Sequence, residues 1–181
     1  MAKSKQDQPK EKKPFIILAA KVKEDLCEYS YEINSGPCEG DQVKGRKGAN
    51  MVHDDLLKSF QALNVHLAIL DDAFESTELT FEQMKSEAVK FNVNGFKVSG
   101  SDDNEGFIIY GSKWVRYGSV EIDTPKISKS NAYPYWDDLC EVMESARNEV
   151  LAYMNGRSAP KVVQAKMEFS ETDGNDFNNP M

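Results

Sequence analysis

The chain is poor in the residues that usually announce a chemistry. Cysteine is scarce: Cys27, Cys38 and Cys140 are the only three. An odd, sparse count argues against a disulfide framework and suits a reducing compartment. No two cysteines have C-x-x-C spacing, so a cysteine-based zinc site has no support. Histidine is scarcer still, with His53 and His66 alone. They lie thirteen residues apart on one predicted helix, about 20 Å at the usual rise, too far to share an ion. His53 therefore reads as a flank or cap of that helix, and His66 as the edge of its apolar stripe. No metal or cofactor is expected. A G-x-S-x-G elbow and other nucleophile signatures are absent. The acidic pairs, such as Asp71-Asp72 and Asp137-Asp138, fall at helix ends and turns, where solvation explains them. An enzyme has no residues to name.

Long apolar runs are also missing. The longest is Phe15 to Ala20, far short of a membrane span. The basic N-terminus lacks the apolar stretch of a signal peptide. A cytoplasmic protein, with no membrane partner, is the expectation.

What is present is a well-proportioned domain. Of 181 residues, 40% are hydrophobic and 29% charged, enough to bury one core. The net charge of -8 divides into +3 over residues 1–14, -7 over the body and -4 over 168–181. Residues 1–14 read as a disordered basic arm, 15–167 as one domain, and 168–181 as a disordered acidic tail.

Within the body, Phe15 to Val22 is apolar enough for a buried strand. Residues 26–33 alternate in strand fashion, so 15–33 reads as a hairpin turning at Lys23-Glu-Asp25. Residues 36–48 carry loop chemistry, with Lys44, Arg46 and Lys47 as the one compact basic cluster between glycines. Leu56, Phe60, Leu63, Leu67, Leu70 and Phe74 fall on one stripe, predicting a single helix from Asp54 to Phe74. Thr80 with Gln83 suits a capping box opening a short helix to Glu87. Strands are predicted at 90–98, with a bulge at Gly95, at 107–110 and at 115–122, with turns at Ser101–Asn104 and Gly111–Lys113. A second long helix is predicted from Pro134 to Asn155, stopped by Gly156. The order implies α+β: a mainly antiparallel sheet of about five strands with two long amphipathic helices on one face.

The strand region is where a binding function is legible. Phe91, Phe96, Phe107, Tyr110, Trp114 and Tyr117 interleave with Lys90, Lys97, Lys113 and Arg116. Single-stranded nucleic acid binders stack bases on such rings and hold phosphates with such cations. Aromatics also favour strands for their packing alone, so about half of these rings are expected in the core. The candidate nucleic-acid residues are Lys97, Tyr110, Lys113, Trp114, Arg116 and Tyr117, with Lys44, Arg46 and Lys47. In the tail, Phe169, Asp173, Asp176 and Phe177 are candidates for holding a partner protein, in the loose manner of the acidic tails of single-stranded DNA-binding proteins.

Several blocks carry a family likeness: His53-Asp-Asp-Leu-Leu57, Val93-Asn-Gly-Phe96 with Gly100, Asp123-Thr-Pro125, and the closing Tyr153 with Asn155-Gly-Arg157. Over residues 15–158 the chain resembles a group of small uncharacterised proteins of bacterial phages and prophages. The resemblance implies a phage origin and the host bacterial cytoplasm, and brings no catalytic residue. The expected function is a non-enzymatic accessory that binds single-stranded DNA or a replication or recombination partner. The alternatives are an anti-defence factor sequestering a host protein or small ligand, and a structural or oligomer-forming protein using the Leu56–Phe74 stripe.

Overall fold

The computed structural model describes residues 13–74, 79–100 and 104–160. The first elements among the described residues are β1 (Phe15–Lys23) and β2 (Leu26–Ile33), which pair antiparallel as expected. The two-residue turn between them is Glu24-Asp25, both in the left-handed region at φ 51° and 61°. Strand twist demands that geometry, and asparagine-glycine meets it with less strain. Replacing Glu24-Asp25 by Asn-Gly will stabilise the fold by about 1 kcal/mol. A thermal melt will show a midpoint about 3 °C higher.

β3 (Gln42–Met51) corrects the loop expected around Lys44–Gly48: it is an edge strand on β2. Its glycines disguised it, because both bulges in its pairing fall along this segment. Then come α1 (Asp54–Gln61), α2 (Asn64–Leu70) and α3 (Phe81–Glu87). The predicted single helix is thus two. The break at Ala62–Leu63 precedes Asn64, whose side-chain oxygen accepts the Val93 backbone N–H at 2.8 Å and docks the helix end on the sheet. The apolar stripe survives the break, with Leu56, Phe60, Leu63 and Leu67 all buried. That part of the stripe is core, with Leu70 and Phe74 partly buried against it. The Thr80–Gln83 capping box opens α3 as predicted.

β4 (Phe91–Ser99), β5 (Gly106–Val115), β6 (Gly118–Asp123) and the short β7 (Ile127–Ser128) complete the sheet. The strand order is β3-β2-β1-β4-β5-β6, with β7 also on β5, and every pairing is antiparallel. Gly111–Lys113 is therefore not a turn: β5 runs straight through it and the chain reverses at Arg116-Tyr117. Thr124 carries the ladder across the gap between β6 and β7. Its N–H donates to the Ile109 carbonyl at 3.0 Å, and its hydroxyl accepts the Ile109 N–H at 2.9 Å. Pro125, with no N–H to offer, marks the gap.

The last helix of the described residues, α4 (Trp136–Met154), ends in a Schellman motif. Gly156 takes the left-handed position at φ 97°, its N–H reaching the Tyr153 carbonyl while Arg157 N–H reaches that of Ala152. The helices cover one face of the sheet. Along the middle strands Ala20, Phe96 and Ile109 point into that core, while their neighbours Ala19, Lys97 and Ile108 point to the other, open face. Among the described residues the fold is α+β with a mainly antiparallel sheet, with six full strands rather than five; the first predicted long helix is divided and the second, α4, is long as expected. No helix among the described residues is long and apolar enough to cross a membrane.

Candidate nucleic-acid interface

The nine body residues singled out by sequence separate into four settings. Period-two alternation on β5 sends Tyr110 and Trp114 to the open face. Four residues of strand set them about 13 Å apart. Trp114 is 62% exposed, while Tyr110 is half-buried between Lys21 and Asp123. Burial first, then the Asp123 charge, pushes the Tyr110 hydroxyl up from its ordinary range. Lys97 stands on the same face, directly across from Ile108 and Ala19. Lys21 joins them with its ammonium 6.0 Å from the Tyr110 ring centre, a cation that sequence reading missed. Only strand register places it there, since it lies 89 positions earlier in the chain.

Arg116 and Tyr117 form the tip of the β5–β6 hairpin, with the guanidinium 5.2 Å over the ring. Tyr117 is 88% exposed, and Val115 and Val120 beside it are also exposed. The hairpin end thus projects apolar surface in both directions beyond the helices.

Lys113 turns to the helix face, contrary to expectation. It pairs with Asp71 at the end of α2 at 2.8 Å and lies over the Phe91 ring. Strand alternation forces this, since Trp114 next to it must point the other way. Lys44, Arg46 and Lys47 are on β3, four strand steps from β5, or roughly 19 Å. They form no common site with Trp114. Phe91, Phe96 and Phe107 are core. Phe169, Asp173, Asp176 and Phe177 lie outside the described residues, as do most of the expected basic arm and residues 101–103 of the expected turn.

The open face is not uniformly basic. Glu121 and Asp123 on β6 sit across from Ser112 and Tyr110, and Glu28 sits across from Lys21. A strand of phosphates has a favourable path on the β1–β4 side of the rings, past Lys21 and Lys97, and an unfavourable one on the β6 side.

No family model, curated protein or solved structure matches this chain. Its residues alone carry the functional argument.

Two further settings bear on chemistry. His66 is fully buried. Its Nε2 lies 3.0 Å from Asp138 Oδ2 and its Nδ1 2.9 Å from the Tyr133 hydroxyl. Those partners fix the neutral Nε2–H tautomer, with Tyr133 donating to Nδ1. Both ring nitrogens are spent on holding α2 to α4 and its leading loop. Sequence gave no signal for this network, because its members are 67 and 72 residues apart. His53 caps α1 as expected, its Nδ1 accepting the Asp55 N–H at 3.2 Å. A groove of about 410 Å³ lies between the α1–α2 junction, α3 and α4, lined by Val65, Ala88, Val89 and Val142 with Lys85 as its charged group. The three cysteines are free thiols, and burial pushes Cys27 up to about 12, which keeps it an inert core residue.

Proposed function

We propose that this chain is a non-enzymatic accessory protein that holds single-stranded DNA against the open face of its sheet. The observation that carries the reading is the pair Tyr110 and Trp114 on that face, uncovered by any described helix, with Lys21 and Lys97 beside Tyr110. Trp114 and Tyr110 stack bases, and the lysines hold phosphates at the Tyr110 end. A phage origin, as the likeness of residues 15–158 implies, would set the chain in a bacterial cytoplasm, where single strands are exposed during replication and recombination.

Fluorescence polarisation of a labelled oligothymidine tests this. Affinity at about 20 mM salt should fall roughly tenfold by about 150 mM, because two or so phosphate contacts are released. Trp114→Ala and Tyr110→Ala should each weaken binding roughly tenfold, and Lys113→Ala should leave it unchanged. Removing residues 168–181, with four carboxylates and no base, should tighten it. Absence of binding by the full chain at low salt overturns the reading.

The hairpin end favours a second reading. Trp114, Val115, Tyr117 and Val120 together expose apolar surface of the kind protein partners cover. On that reading the chain sequesters a host protein, and Tyr117→Ala abolishes its capture while oligothymidine binds neither form.

A further inference from the structure

The two edges of the sheet are built as opposites. β3 at one edge carries Lys44, Arg46 and Lys47 and no acid. β6 at the other edge carries Glu121 and Asp123 and no base. Among the described residues, none of Lys44, Lys47, Glu121 and Asp123 is in a salt bridge. Among the described residues each strand pairs on one side only, β3 with β2 and β6 with β5. Each therefore presents a row of unpaired backbone N–H and C=O groups, a template for another strand. On β3 the carbonyls of Asn50 and Met51 are already taken, by the Tyr153 hydroxyl and the Ala159 N–H, so residues 43–48 are the open part.

Charge decides which strand can come. Two copies meeting β3 to β3, or β6 to β6, bring like charges into facing positions, which is unfavourable. β6 of one copy against β3 of the next brings opposite charges together. Strand direction allows it as well. All pairings alternate along the order β3-β2-β1-β4-β5-β6, so β3 and β6 run in opposite directions. A copy displaced along the sheet therefore adds its β3 antiparallel to β6, with the helices on the same side. Lys47 and Glu121 share the open face, opposite Glu28 and Ser112 respectively, and a register that faces them satisfies both.

We infer that the chain associates head to tail with further copies of itself, β6 of one pairing with β3 of the next. The contact is heterologous, so it propagates into a ring or filament instead of closing at a dimer. The sheet continues from copy to copy, and the open faces line up on one side. This does not depend on what that face binds.

Analytical ultracentrifugation of the full chain without nucleic acid tests the inference. At about 20 mM salt and about 0.5 mM protein, species larger than a dimer form, and about 500 mM salt returns them to monomer as the charges are screened. Reversing β6 (E121K with D123K) abolishes association, and so does reversing β3 (K44E, R46E and K47E). Mixing these two variants restores it, because each basic edge then meets an acidic one. Amide exchange read by mass spectrometry supplies a check free of substitutions: protection at 43–48 and 119–123 rises with protein concentration. A chain that stays monomeric at low salt overturns the inference, as does a dimer that ignores both reversals. Association without the proposed DNA affinity, or the reverse, separates this inference from that reading.

Discussion

Gly95→Ala will cost the fold about 3 kcal/mol, at the upper end of what one added methyl group does in a packed interior. Gly95 sits just past the bulge in β4, paired with Lys21 and Tyr110 at the centre of the sheet. A Cβ there would lie 2.6 Å from the Ala20 carbonyl oxygen and 3.1 Å from Lys21 Cα. Both are backbone atoms of the adjoining strand, so no rotamer change relieves the clash. The strands must separate or the bulge must shift. Because β1 and β4 join the two halves of the sheet, the whole structure feels either response. In urea, where the slope for a domain of this size is about 2 kcal/mol per molar, the midpoint should fall by about 1.5 M with the slope unchanged. An unchanged midpoint would mean that the bulge relaxes freely. Tyr110 stands next to Gly95, so the same substitution also displaces a ring of the proposed DNA platform.

His66→Leu should destabilise the protein by about 2 kcal/mol at neutral pH, because Tyr133 is left with a largely buried hydroxyl and no acceptor. The wild type should also be sensitive to acid in a definite window. Burial lowers the His66 pKa; the hydrogen bond and charge of Asp138 oppose this, and Lys85 adds to it. The unfolded imidazole takes a proton near its ordinary value, about 6.5, while the folded one resists. Stability is therefore fully present above that value and is lost as pH falls below it, by up to about 1.4 kcal/mol per unit until the folded group itself titrates. Protonation of Nδ1 would also force the Tyr133 hydroxyl to rotate away from its acceptor. Urea melts at pH 7.5 and 5.5 measure the effect. The His66→Leu variant, which has no imidazole there, should lose this part of the pH dependence. An equal slope in both proteins would place the sensitivity elsewhere.

Much of the fold was present in local sequence. The 15–33 hairpin, the capping box at Thr80 and the stop at Gly156 depend on contacts within a few residues. Side-chain periodicity and backbone preference report such contacts directly. The Leu56–Phe74 stripe likewise marked the core correctly, even though the helix carrying it is broken at Leu63. What local pattern could not decide was what a glycine is for. Gly45 and Gly48 looked like loop residues and belong to β3; Gly111 looked like a turn and lies inside β5. There a Cβ would meet Leu67 Cδ2 at 2.5 Å, so the glycine makes room for a helix. Tertiary structure alone decides such close approaches, because the intruding atom comes from a distant segment.

The same division runs through the candidate site. Sequence alone determined that the chain interleaves aromatic and basic residues over 90–117 and has an acidic balance. It could not sort those residues by face. Once β5 ran through Gly111 to Val115, alternation put Trp114 with Tyr110 on the open side and sent Lys113 to Asp71. Strand order then placed Lys44, Arg46 and Lys47 at the far edge and brought Lys21 in from β1. Residue chemistry is written one position at a time, whereas the face and edge a residue occupies are set by hydrogen-bond register between strands far apart in the chain.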